Sequence, residues 1–183
     1  MTINIEDTTI PEVKILRSIR FQDERGFFSE NYQERIYEEI GLPRFVQDNL
    51  SESKKGVIRG LHWQTAPFAQ GKLVHCITGS IYDVAVDIRK TSPTFGKHIA
   101  IELNSLESKS LWIPEGFAHG FQALEENTRV LYKVTNYWNK TSEQSINYAD
   151  NFLEINWRKI PVIISEKDRY APDLQSILGN PFE

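Results

Sequence analysis

The sequence predicts an all-β protein, an antiparallel sandwich or barrel, a class that includes the jelly roll, with a few short helices. Three observations lead there. Through residues 72–138, short runs of β-branched and aromatic residues recur between polar or Gly/Pro breaks, the spacing of an antiparallel sandwich or barrel. One of these runs alternates: Tyr82, Val84, Val86 and Ile88 are interleaved with Asp83, Ala85 and Asp87, which is the period of a strand. Helix signals are scarce.

The first helix signal is "NYQERIYEEIG". Asn31 can cap it with Glu34 three residues on, and Gly41 with Pro43 ends it. "VIRGLHWQ", residues 57–64, reads as a strand. "KLVHCIT" and "IYDVAVDIR" flank Gly79-Ser80, a two-residue turn with glycine first, as a type II′ hairpin needs. "KHIAIELN", "KSLWIP", "HGFQAL" and "RVLYKVTNYW" follow as further strands. A short helix is expected around "PDLQSILG". There is no internal repeat or linker-like boundary, and 183 residues suit one domain spanning 1–183.

Composition narrows the function. A net charge of −4 argues against a nucleic-acid surface, which needs a dense basic face. An anionic ligand must then meet a few local cations inside a pocket. "MTINIEDTTIPEV" has neither the basic start nor the apolar run of a signal peptide, and no stretch is long enough to span a bilayer, so no membrane partner and a cytoplasmic location are expected. Cys76 is the single cysteine. It permits no internal disulfide, fits a reducing compartment, and in an apolar run reads as a buried, inert thiol.

Four histidines are candidates for chemistry. His98, beside Lys97, reads as solvated surface. His75 is offset by one from Val74 and Cys76, so it faces the other side of its strand. His119 stands in "WIPEGFAHGF", whose Pro-x-Gly-x-x-His spacing resembles the second motif of the cupin superfamily, small double-sheet β-barrels. The first cupin motif supplies His-x-His and a glutamate to a metal. Here that stretch offers His62 and then Gln64, a weak donor set for a transition metal, so a metal is disfavoured.

The cations Arg25, Arg59 and Lys72 each stand next to a glycine, in "DERGFF", "VIRGLHWQ" and "QGKLV". Together they could clamp a diphosphate. Arg59 and His62 are three apart, so a regular strand sends them to opposite faces. If both serve one pocket, the strand needs a bulge, and Gly60 is the natural place.

Eight pieces, "DERGFFSE", "FVQDNLS", "GVIRGLHWQ", "QGKLV", "GSIYDVAVDIRKTSPTFG", "LWIPEGFAHGF", "YKVTNYW" and "ISEKD", run in order through most of the chain. In this the sequence resembles the RmlC-type dTDP-4-dehydrorhamnose 3,5-epimerases, which have the cupin-like jelly-roll fold. The resemblance implies His62 as base with Asp168 bonded behind it, Tyr132 as acid on the opposite face of the sugar, and Lys72 near the ketone oxygen. It assigns Arg25, Glu30, Gln47, Asp48, Asn49, Arg59, Lys72, His119, Glu143 and Lys167 to binding of the dTDP-sugar, and Tyr137 to stacking on the thymine. It implies no metal, no cofactor, and a homodimer whose N-terminal strands exchange. Trp63, His75 and Trp138 depart from the family's usual residues and leave open which carbons are inverted. Without the resemblance, Tyr132 reads as a core tyrosine, Asp168 as a surface loop acid, and Gln47-Asp48-Asn49 as turn residues.

The residue types suit the implied chemistry. Hydrogens on carbons 3 and 5 of a 4-keto sugar are adjacent to the ketone. Inverting either centre needs a base on one face, an acid on the other and a cation at the oxygen. The alternatives are a single-centre 3- or 5-epimerase, a 3,4-ketoisomerase, a metal-dependent cupin using His62 and His119, and a non-catalytic sugar-binding barrel.

Overall fold

The structure, a computed structural model, describes residues 3–178. Four short strands open it: β1 (Ile3–Asp7), β2 (Lys14–Ser18), β3 (Arg20–Asp23) and β4 (Gly26–Ser29). Helix α1 (Glu34–Glu39) follows, then β5 (Gln47–Ser53), β6 (Ile58–Gln64), β7 (Lys72–Thr78) and β8 (Ser80–Asp87). The rest comprises β9 (His98–Asn104), β10 (Lys109–Ile113), β11 (Phe117–Ala123), β12 (Thr128–Val134), β13 (Glu143–Ser145), α2 (Glu166–Arg169) and α3 (Leu174–Leu178). Among these helices none is long and apolar enough to cross a membrane.

The expected jelly-roll architecture is present. A six-stranded sheet in the order β1-β2-β10-β7-β12-β5 faces a five-stranded sheet in the order β13-β6-β11-β8-β9, with β3 and β4 as a separate hairpin. Pairing between named strands is antiparallel throughout. Side chains from both sheets meet between the layers: Val74, Cys76, Leu111, Ile113 and Val130 against Ile81, Ala85, Ile99, Leu103, Phe117 and Phe121. This cluster fills one end of the barrel, and burying a side chain of this size is worth about 1.5–3 kcal/mol. The outer face of the five-stranded sheet buries a second set, Leu61, Trp63, Tyr82, Val84 and Val86, under the C-terminal segment with Leu153 and Leu174. A third cluster seats α1, through Tyr37, on Leu16, Leu73 and Trp112.

Four local expectations are corrected. The Gly79-Ser80 hairpin is absent, because β7 and β8 lie in different sheets. Gly79 alone separates them. It takes φ +74°, a Cβ there would lie 2.5 Å from Thr128 Oγ1, and it so turns the chain round the corner of the barrel. Helix α1 begins three residues beyond Asn31, with Gln33 at its N-cap and no side-chain cap; the Asn31 carbonyl instead accepts from the Tyr37 hydroxyl at 3.0 Å. Gln47-Asp48-Asn49 opens β5 rather than a turn. His98 is half-buried, and that burial lowers its pKa. The C-terminal helix is where "PDLQSILG" put it, Gly179 of that stretch lying outside the described residues.

The bulge expected at Gly60 is also present. His62 pairs with His119 and Arg59 with Phe121, so two residues of β6, Gly60 and Leu61, stand against Gly120 alone. Gly60 has φ +119°, and a Cβ there would lie 2.6 Å from Gly120 Cα and 2.7 Å from the His119 carbonyl oxygen. Only glycine fits a backbone this close in this conformation.

Candidate active site

The open end of the barrel holds a cavity of about 500 Å³ lined from both sheets. Its walls follow from strand parity. On β7, Val74 and Cys76 point into the core, so Lys72 points into the same interior two residues earlier. On β12 the same rule carries Tyr132 inward between Val130 and Val134, both buried. On β6, Leu61 and Trp63 face outward into the second cluster, which leaves His62 inside. The bulge adds Arg59 to that wall, and His119 enters as the cross-strand neighbour of His62.

His62 Nε2 lies 2.6 Å from Asp168 Oδ1. Asp168 is 4% exposed. It is brought in from more than a hundred residues away by the chain's return past β6, where Val57 bridges Ile163 and Ile58 donates to the Ile163 carbonyl at 2.9 Å. Ser165 then caps α2 by accepting from the Asp168 amide at 3.1 Å, and the Gly60 amide points at Asp168 Oδ2 from 3.5 Å. Burial pushes this carboxyl's pKa up, but the hydrogen bond and charge of His62, with Ser165 and Gly60, outweigh it and hold it below its ordinary value. With Nε2 engaged, Nδ1 of His62 has no partner among the described residues and is the nitrogen free for chemistry.

Tyr132 lines the same cavity from the opposite sheet. Burial raises its pKa, with Arg59 opposing weakly, so the phenol keeps its proton near neutrality. Lys72 is 8% exposed and donates to the His62 carbonyl at 3.1 Å. Burial lowers its pKa to about 8, against the pull of Asp83 and Glu143. An imidazole on a buried carboxylate, a protonated phenol across the cavity and a poised ammonium are the parts of a proton-transfer site.

The remaining candidates divide. Arg59 lines the cavity, its Nε donating to Ser53 Oγ and Nη2 to the Glu52 carbonyl, both at 3.0 Å. Lys167 is at the rim, paired with Glu143 at 2.7 Å. Gln47, Asn49 and Glu143 line an adjoining pocket of about 100 Å³ shared with His62, Lys72 and Tyr132. Four expected residues line neither this cavity nor the adjoining pocket. Asp48, between Gln47 and Asn49, faces the other side of β5 and pairs with Lys133 at 2.9 Å. Arg25 is exposed on the β3–β4 hairpin and pairs with Asp23, and Glu30, just after that hairpin, lines neither pocket. Tyr137 is 63% exposed, and Trp138 beside it lines the adjoining pocket instead.

The structure also brings in residues to which the sequence analysis gives no role. Asp83 is fully buried with Oδ1 2.7 Å from His119 Nε2, and Ser51 lines the cavity with an unpartnered hydroxyl. Gln64 holds a turn rather than a metal: it donates to the Phe68 and Tyr137 carbonyls at 2.6 and 3.1 Å and accepts from the Asn139 amide at 2.7 Å. Among the described residues no group of three or more His, Cys, Asp or Glu is placed to hold a metal.

Residues 7–176 match the family model described as dTDP-4-dehydrorhamnose 3,5-epimerase. The dTDP-4-dehydrorhamnose 3,5-epimerase of Salmonella typhimurium is 51% identical over 175 residues, 93% of this chain and 95% of that one. The crystal structure of dTDP-6-deoxy-D-glucose-3,5-epimerase RmlC from Legionella pneumophila in complex with dTDP-4-keto-L-rhamnose superposes with a TM-score of 0.93 at 47% identity, covering 96% and 95% of the two chains. A 3′-monoepimerase from Streptomyces bikiniensis in complex with dTDP-quinovose is more distant, 27% identical with a TM-score of 0.87 over 94% and 90%.

Proposed function

The chain belongs to the dTDP-4-dehydrorhamnose 3,5-epimerase family, and from that membership we propose that it is an isomerase inverting carbons 3 and 5 of a dTDP-4-keto-6-deoxy-hexose. His62 Nδ1 takes the hydrogen from the carbon next to the ketone, and its Nε2–H, held on Asp168, keeps the imidazole in that tautomer and stabilises the imidazolium that forms. Such a base is worth typically ~10²–10⁴-fold. The negative charge moves to the ketone oxygen, where the Lys72 ammonium meets it. A donor of this kind contributes about 3–4 kcal/mol. Tyr132 returns a proton from the other face, which inverts the centre.

The observation that carries the reading is one cavity with His62 on one sheet, bonded to buried Asp168, and Tyr132 on the other. Arg59 and Lys167 supply positive charge for the diphosphate, and Gln47, Asn49 and Trp138 extend the site toward the nucleotide. We read residues 1–183 as one cupin-like domain that acts as a homodimer with exchanged N-terminal strands. The exposed Phe21, Phe27 and Phe28 of the β3–β4 hairpin support this, because a second copy would cover them and could present Arg25 and Glu30 to the neighbouring cavity. The soluble nucleotide substrate supports a cytoplasmic enzyme.

The test is exchange. Protein incubated in heavy water with dTDP-4-keto-6-deoxyglucose should exchange hydrogen at carbons 3 and 5, followed by NMR. Exchange at one carbon selects a single-centre epimerase, and binding without exchange ends the proposal.

A further inference from the structure

The cavity contains a second histidine–aspartate pair that the proton-transfer scheme does not use. His119 and His62 are direct cross-strand partners, and each has its Nε2 on an aspartate: His62 on Asp168 at 2.6 Å and His119 on Asp83 at 2.7 Å. The two aspartates come from unrelated places, one from α2 and one from the middle of β8. Asp83 is wholly buried between Ile81 and Ala85 on the inner face of β8, and its second oxygen has no partner among the described residues. An aspartate placed there costs folding energy unless its oxygen is put to use. The His119 ring lines the cavity, and its Nδ1 has no hydrogen bond among the described residues.

Resting on the epimerase reading, we propose that Asp83 is a positioning residue that fixes His119 as the Nε2–H tautomer, so that Nδ1 presents a lone pair to the cavity and accepts a hydrogen bond from the sugar's carbon-2 hydroxyl. The chemistry of the ring selects that group. A lone pair recognises a donor, so the ketone at carbon 4 and the methyl at carbon 6 are excluded. The carbon-3 hydroxyl moves when its centre inverts. The carbon-2 hydroxyl alone stays in place through both inversions, and only a fixed group can hold the ring in register while neighbouring bonds change. Two further observations agree. Burial lowers the pKa of His119, with Asp83 opposing and the Lys72 and His62 charges adding to the decrease, so the ring is neutral and has a lone pair to offer. Lys72, an obligate donor, stands beside it for the oxyanion, so the cavity places an acceptor and a donor side by side for two different oxygens of one sugar.

Two measurements test this. The first is the tautomer of His119 in ¹⁵N-histidine-labelled protein without ligand, read from long-range ¹H–¹⁵N spectra. The Nε2–H form is expected, with Asp83→Asn moving it toward Nδ1–H; a wild-type Nδ1–H or imidazolium form overturns the proposal. The second compares deuterium exchange of dTDP-4-keto-6-deoxyglucose with its 2-deoxy analogue. Wild type should lose about 10- to 100-fold in kcat/KM on the analogue, the effect of one lost hydrogen bond at a buried acceptor. Asp83→Asn should bring that ratio near one by weakening only the natural sugar. Equal use of both sugars by wild type overturns the proposal even if Asp83→Asn does not fold. Inactivity of wild type on both sugars overturns the epimerase reading instead, and leaves the tautomer to judge the His119–Asp83 pair on its own.

Discussion

Replacing Asp168 with asparagine isolates the carboxylate's part in proton abstraction. As His62 takes a proton it becomes an imidazolium whose Nε2 lies 2.6 Å from Asp168 Oδ1. Taking the centres of the two charges as about 4 Å apart, an effective dielectric of about 20 gives an attraction of about 4 kcal/mol. The His62 side chain is 27% exposed, and solvent screening trims this to about 3 kcal/mol. At 1.36 kcal/mol per tenfold, the rate should fall by about 10²–10³. Asparagine adds a second penalty of the same sign. Its amide can donate to Nε2, which moves the imidazole proton to Nδ1, the nitrogen that faces the substrate.

The assay is deuterium incorporation at carbons 3 and 5 in heavy water, with kcat and KM measured separately. Asp168 acts through His62, so kcat should carry most of the loss and KM should change by less than about threefold, since uniform binding is untouched. A variant that keeps more than about a tenth of the wild-type exchange rate at either carbon would refute the argument, because its carboxylate would then be a structural anchor for α2 and nothing more. Loss at one carbon alone would mean that His62 serves only that centre.

Four further outcomes are expected. Tyr132→Phe should keep exchange at the carbon that loses its proton first while product formation falls by about 10²-fold or more, since it removes the acid and leaves the base; equal loss of exchange and inversion would reassign Tyr132. Lys72, held at about 8 by burial, loses its charge as the pH rises, so kcat/KM should fall tenfold per unit above about pH 8, and Lys72→Met should remove that limb. The same depression means that Lys72's contribution to stability is present above its ordinary value near 10.5 and is lost as the pH falls through about 8; a urea titration across that window should show the slope in wild type and not in Lys72→Met. Gly60→Ala forces a Cβ to within 2.6–2.7 Å of backbone atoms at a positive φ, overpacking and strain together costing about 4 kcal/mol, read as a lower urea midpoint; an unchanged midpoint would show that the bulge can relax.

What the sequence could and could not disclose follows from where side chains point. The strands around the core were legible because short runs rich in β-branched and aromatic residues mark them, as in β7 and β8. The bulge was legible because Arg59 and His62 both had to reach one pocket, and a glycine stood between them. Strand β5 was not, since its inward residues Gln47, Asn49 and Ser51 line cavities and not a core. A strand whose inner face meets ligand loses the apolar period that identifies strands, and its two polar faces read as a turn. Gln47 and Asn49 thus separate from Asp48 only once the register with β12 is known.

The aspartates show the same limit from the other side. Asp83 on an alternating strand reads as its solvent face, yet β8 is central and covered on both faces, so every residue from Ile81 to Asp87 is buried. Asp168 reads as a loop acid because nothing local ties it to His62; the tie is the Val57–Ile163 bridge and the Ser165 cap. In both cases the carboxylate sits where water cannot reach and its imidazole sits where substrate can. Strand alternation produces that arrangement for His119, whose neighbours on β8 supply the aspartate directly. His62 lies on the edge side of β11, next to short β13, with no long strand behind it to carry an acid. The chain's C-terminal return supplies one instead, and this accounts for a histidine–aspartate pair assembled from residues more than a hundred positions apart beside a second pair built within a single sheet.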